Sequence, residues 1–202
     1  MKRAIIFDFG GVLMKTRDHT PRYLWDSRLG LAKGSVERVV HNADSWVKAQ
    51  TGTLSPQAYW EDVRQQLRIS AEDVRQLAVD FYSGDVLDTE LTGLIRRYRS
   101  DGYPVALLSN DSSELMPKLE RLDLVALFDL LVISAQIGAM KPAAAAYEAV
   151  LDRLAMPAHQ TIFVDDRPEN VEGANALGIH GIHYTDGMDL AARLESLLID
   201  AT

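Results

Sequence analysis

The chain has no cysteine in its 202 residues. A disulfide framework, a thiolate metal site and a cysteine nucleophile are therefore excluded, and any metal must be held by oxygen or imidazole. Positive charge is also short: 21 lysines and arginines against 29 aspartates and glutamates leave a net charge of −8 and a pI near 5.1. That balance argues against general affinity for nucleic acid or anionic membrane, while a local basic pocket could still take a phosphate. Long apolar runs are missing too. The stretch after Met1 breaks at Asp8, too early for a signal-peptide core of ~7 to 15 residues, and no run approaches the ~20 residues of a membrane helix. The expected location is the cytoplasm, with no nucleic-acid and no membrane partner. Internal repeats and low-complexity segments are absent. What is there, 47% hydrophobic and 25% charged residues, suits one globular core or a core with a smaller insertion.

Short apolar runs alternate with helical stretches. Strands are expected at 4–9, 105–108, 130–133, 161–164 and 181–184, each apolar and either rich in β-branched residues or flanked by Gly or Pro. Helices are expected between them, at about 90–100, 113–122, 144–154, 169–177 and 190–198. This alternation predicts an α/β fold with a doubly wound, parallel, five-stranded sheet.

The alternation fails from about Thr16 to Gly84, where only helical segments are expected, at 22–29, 35–49, 56–67 and 71–82. Ser55-Pro56 and Ser70-x-x-Asp73 read as helix starts. The expected organisation is therefore a core domain of residues 1–15 and 86–202 with a helical domain, 16–85, inserted after the first strand. Trp25, Trp46, Trp60, Phe81 and Tyr82 are expected to form most of that insertion's own core.

In a parallel sheet, ligands gather at the carboxyl ends of strands. Asp8 ends the first apolar run and is followed by Gly10 and Gly11; Ser109-Asn110-Asp111, Lys141 in Gly138-Ala139-Met140-Lys141-Pro142, and Asp165-Asp166 follow later runs. Each has an ordinary explanation as a helix cap or a surface lysine. Together they make a coherent phosphate site. Carboxylates gathered around Asp8 repel one another unless a divalent cation joins them, and a lysine with a hydroxyl complements phosphoryl oxygens.

With these four positions in order, the chain resembles the haloacid dehalogenase-like hydrolase superfamily over nearly its whole length, with a helical cap inserted after the first strand. The resemblance implies catalytic roles for Asp8 as nucleophile, Ser109 and Lys141; substrate-binding roles for Gly10, Ser109, the Asn110 amide and Lys141; and a Mg²⁺ site of Asp8, the Gly10 carbonyl, Asp166 and, through water, Asp165. Asn170 is a candidate support for that site. The implied activity is a Mg²⁺-dependent phosphatase acting on a small-molecule phosphate monoester through an aspartyl-phosphate, by a monomer or homodimer.

One position departs from the pattern. The usual first motif is DxD, whose second acid protonates the leaving oxygen; here Gly10 stands in its place. General acid help of that kind is typically worth ~10²- to 10⁴-fold. Its absence implies substrates whose leaving group departs unprotonated, such as glycosyl (a sugar 1-phosphate) or acyl phosphates, or an acid supplied by water or by the cap, or a slow enzyme. Asp18 and His19 are the nearest substitutes in sequence, although solvated loop residues explain them as well. Arg17, Tyr23 and Trp46 join these two as guesses at the specificity surface. Two rival readings stand: a 2-haloacid dehalogenase, whose relatives alter the acidic pair kept here at Asp165-Asp166, and a phosphate-binding regulatory protein that has lost turnover.

Overall fold

A computed structural model describes residues 2–42 and 44–199. The chain runs β1 (Ala4–Phe7), β2 (Met14–Thr16), α1 (Thr20–Arg28), α2 (Ser35–Val40), α3 (Ser45–Gln50), α4 (Pro56–Leu67), α5 (Ala71–Phe81), β3 (Asp85–Leu87) and α6 (Thr89–Ser100). It continues β4 (Val105–Ser109), α7 (Leu115–Arg121), β5 (Leu130–Ile133), α8 (Ser134–Ile137), α9 (Ala144–Leu154), β6 (Thr161–Asp165), α10 (Pro168–Ala176), β7 (His180–His183) and α11 (Leu190–Ile199). Among the described residues no helix is long and apolar enough to cross a membrane.

Five strands form one parallel sheet in the order β5-β4-β1-β6-β7. β1 lies at its centre, with Phe7 opposite Leu107 on one side and Val164 on the other. Side chains alternate across it: Ile5 and Phe7 enter an apolar cluster with α6, α7 and α11, whereas Ile6 enters one with α9 and α10. Burial on both faces explains why β1, β4 and β6 are continuous apolar runs. The order of strands reverses between β1 and β6, so their carboxyl ends open a crevice there.

Three local expectations need correction. β1 ends at Phe7, two residues earlier than expected, because the backbone turns at Asp8 to Gly11. β2 and β3, three residues each, pair antiparallel where the chain leaves and re-enters the core, so Thr16 belongs to a strand and the expected all-helical stretch starts later. The expected helix 35–49 is two helices; Asn42 Oδ1 accepts from the backbone N–H groups of Asp44 and Ser45 and starts α3 afresh. Ala43, inside that expectation, lies outside the described residues.

α1 to α5 carry their own apolar cluster, built on Trp25, Tyr59, Leu77 and Phe81, with Trp46, Trp60 and Tyr82 packed against it. Ser55 accepts from Ala58 N–H to start α4, and Ser70 accepts from Asp73 N–H to start α5. Buried Arg22 ties the neck together. Its guanidinium donates to the Phe81 carbonyl, to Glu37 and to Thr16 Oγ1 at 2.9, 2.6 and 2.9 Å, and stacks on the Phe81 ring. The helical segment rests on the loop after β4 and on α7 and α8: Gln50 reaches the Asn110 carbonyl, the Lys118 ammonium lies over the Tyr82 ring, and Gly52 meets the Ala135 carbonyl.

Candidate active site

Parallel pairing delivers Asp8, Ser109 and Asp165 to one edge of the sheet. Asp8 follows β1 and keeps the ladder going by donating its N–H to the Val164 carbonyl at 2.9 Å. Ser109 and Asp165 are the last residues of β4 and β6. Lys141 arrives from the loop between α8 and α9, its side chain wholly buried. The ammonium has three partners: Asp8 Oδ1 at 2.8 Å, Asp165 Oδ2 at 2.7 Å and the Leu108 carbonyl at 2.8 Å. A buried lysine with two carboxylates is stabilised only by such close, complete partnering.

Asp8, Asp165 and Asp166 each offer an oxygen within 4.8 Å of the others. Three carboxylates against one ammonium leave an excess of negative charge in a buried site, which a hard divalent cation would neutralise. The electrostatics of Asp8 reflect this crowding. Burial pushes its carboxyl up, Lys141 opposes, Asp165 adds to the rise, and the result is about 7. Burial, with Asp165 adjacent, also raises Asp166. The residues fit a cation in shape as well as charge: Gly11 has φ +78°, and a Cβ there would lie 2.1 Å from Asp166 Oδ2, so glycine leaves the space that this carboxylate fills.

The two acids of the pair differ. Asp165 is fully buried and its oxygens are crowded with donors: Lys141 Nζ, the Arg167 backbone N–H at 2.9 Å and Asn170 Nδ2, at 3.0 Å from both oxygens. Asp166 is half-buried; its main-chain carbonyl is 3.0 Å from His183 Nε2. Asn170 is held in turn by the Tyr147 hydroxyl, which donates to its carbonyl at 2.7 Å.

The structure thus brings Asp8, Ser109, Asn110, Lys141, Asp165 and Asp166 together with Gly10 at one edge. The Asn110 side-chain amide clamps the Lys141 backbone: Oδ1 accepts from its N–H at 2.9 Å and Nδ2 donates to its carbonyl at 2.8 Å. That clamp was not read from the sequence, where an Asn after Ser suggests only a turn. Asp18 and His19 are engaged elsewhere, Asp18 accepting from Thr20 N–H and His19 stacking on Tyr23.

At its switch point this parallel α/β fold gathers a buried carboxylate, a buried lysine and an acidic pair. The chain belongs to the haloacid dehalogenase-like hydrolases, whose family model matches residues 2–178. It is 28% identical to the sesquiterpene phosphatase of Aspergillus oryzae over 97% of this chain and 96% of that one. It is 27% identical to the D-ribitol-5-phosphate phosphatase of Bacteroides thetaiotaomicron over 98% and 99% of the two chains. Among solved structures, a HAD family enzyme of B. thetaiotaomicron, determined with magnesium and inorganic phosphate, has the same fold at TM-score 0.80 and 19% identity, covering 96% of this chain and 99% of that one.

Proposed function

We propose that this hydrolase is a Mg²⁺-dependent phosphatase that cleaves a small-molecule phosphate monoester through Asp8. The observation that carries the reading is the convergence of Asp8, Asp165 and Asp166 around the buried Lys141 ammonium. The phosphatases named among its relatives support it, as does the magnesium and phosphate complex of the protein that shares its fold.

In the first step a carboxylate oxygen of Asp8 attacks phosphorus in line; the bond to the leaving oxygen breaks and its electron pair departs with the leaving group. In the second step water attacks the same phosphorus, releasing phosphate and regenerating the Asp8 carboxylate. Ser109 and the Asn110 N–H hold the phosphoryl oxygens, and Lys141 offsets their charge while fixing Asp8. Asp8, the Gly10 carbonyl and Asp166 would hold Mg²⁺, with Asp165 orienting through water; when bound, the ion offsets repulsion between carboxylate and phosphate. Gly10 supplies no proton to the leaving group, so substrates with stable leaving groups, such as acyl phosphates or sugar 1-phosphates, fit best. The helical segment, residues 16–85, is the cap over a core of 1–15 and 86–202. The cysteine-free composition suits the cytoplasm.

The test is phosphate release from a panel of acetyl phosphate, glucose 1-phosphate, ribitol 5-phosphate and farnesyl phosphate, with Mg²⁺ or with chelator. Turnover indifferent to chelator, or surviving in Asp8→Asn, sinks the mechanism. Chloride release from 2-chloropropionate would support the dehalogenase instead, although both acids of the pair stand beside Asp8, which favours the phosphatase.

A further inference from the structure

Gln50 is the last residue of α3, in the helical segment, and is buried to 8% exposure. A glutamine at a helix end normally points to water. This one donates its Nε2 to the main-chain carbonyl of Asn110 at 2.8 Å, across the seam between the helical segment and the sheet. Asn110 is the residue whose side chain clamps both backbone groups of Lys141. Lys141 in turn holds Asp8 and Asp165. Short polar contacts, linked through the Asn110 and Lys141 residues themselves, therefore join α3 to the carboxylate of Asp8.

A second contact lies two residues on. Gly52, at φ +71°, sits so close to the core that a Cβ there would lie 2.2 Å from the Ala135 carbonyl. The loop after β4 that receives Gln50 and the start of α8 that receives Gly52 are themselves joined, since Asp111 N–H donates to Ser134 Oγ at 3.0 Å and Ala135 N–H to the Asp111 carbonyl at 3.3 Å. Gln50 and Gly52 thus meet one continuous surface, with directional bonding at one point and a close backbone fit at the other.

We propose that Gln50 is a positioning residue for Lys141, coupling the seating of the helical segment to the geometry of the ammonium through Asn110. The catalytic part of this inference rests on the phosphatase reading; the coupling itself does not. When the segment is seated, the Asn110 peptide is fixed from both sides and Lys141 is held in register with Asp8. When it lifts, the Asn110 carbonyl loses its donor and the clamp on Lys141 loosens.

Two measurements test it. Hydrogen exchange on the metal-free wild type, Gln50→Ala, Gln50→Asn and Gly52→Ala reads the Lys141 amide without any turnover. Its exchange is expected to quicken about five- to tenfold in all three variants, the scale set by one hydrogen bond, with the melting temperature little changed in Gln50→Asn. Unchanged exchange at Lys141 overturns the proposal whether or not the enzyme turns anything over. The second measurement is steady-state hydrolysis of acetyl phosphate by Gln50→Ala, Asn110→Ala and the double variant. Gln50→Ala is expected to lower kcat about tenfold with KM within threefold, and to add less than twofold in the Asn110→Ala background. Fully multiplicative effects, or a change in KM alone, overturn it, the latter by making Gln50 a substrate contact. Absence of phosphate release by the wild type would count against the phosphatase reading and leave the exchange result to decide the coupling.

Discussion

A side-chain carbon at Gly10 would meet nothing within 4 Å, and the residue's φ lies outside the left-handed region, so neither packing nor backbone requires glycine there. Gly11 next to it is required on both counts. Gly10→Asp is therefore expected to fold, and to raise hydrolysis of unactivated alkyl phosphates by about 10²-fold relative to acetyl phosphate. Plotting kcat/KM against leaving-group pKa checks this: the wild-type dependence should be steep and that of the variant shallow. Asp8→Asn is expected to lower kcat by at least about 10⁴-fold with every phosphate tested. Asp111 gives a pH signature at the seam. Burial raises its carboxyl, the Ser112 N–H and Lys118 oppose and Glu114 adds, giving about 6. The folded state holds this proton more tightly than the unfolded chain, so the contribution is complete below the ordinary value of 3.8 and is lost as pH rises through about 6. Asp111 should account for about 1–2 kcal/mol of the stability in urea lost between pH 4 and pH 6.5, and Asp111→Asn should remove that share while the part that belongs to Asp8 stays. At this scale the sequence discloses the groups that meet at the sheet edge, because Asp8 and the acidic pair stand at the ends of apolar strands and Lys141 stands in the loop between α8 and α9. It hides those that act through backbone, such as the Asn110 amide on Lys141, because their spacing carries no pattern.

Elements that depend on burial were the most legible. β5, α4 and α9 match their expected limits, since a buried strand is an apolar run and these helices have strong periodicity or sharp starts. The neck was not legible. β2 and β3 have three residues each, and Lys15, Thr16 and Asp85 give them no alternation; they form because Lys15 reaches Asp88 at 2.8 Å and the Tyr184 hydroxyl at 2.6 Å, contacts that only the fold creates. The strand order was equally hidden, as alternation implies parallel strands without saying which are neighbours. Arg22 gives the neck its test. Arg22→Ala removes the donor shared by Phe81, Glu37 and Thr16 and leaves Asp85 without that partner. It should cost about 2–4 kcal/mol in chemical denaturation, a loss that Lys, lacking the fork, restores only in small part.

For the whole molecule, the charge excess at the carboxylate edge predicts that Mg²⁺ stabilises the native state. At a hundred times its dissociation constant a ligand adds roughly 2.7 kcal/mol, which for a chain of this length raises the melting temperature by roughly 5–10 °C. Calorimetry with Mg²⁺ and with chelator measures the difference, and Asp166→Ala should remove most of it.

The central place of β1 has a consequence for how the molecule is made. Ile5 lies beside Val105 and Ile162, so β1 is made about a hundred residues before its partner β4 and roughly a hundred and sixty before its partner β6. Between them emerges a helical segment with an apolar cluster of its own, able to collapse first. Until β6 appears Asp8 has no acidic pair beside it, and a chain arrested before β4 is a helical segment trailing an unpaired apolar strand, prone to aggregate.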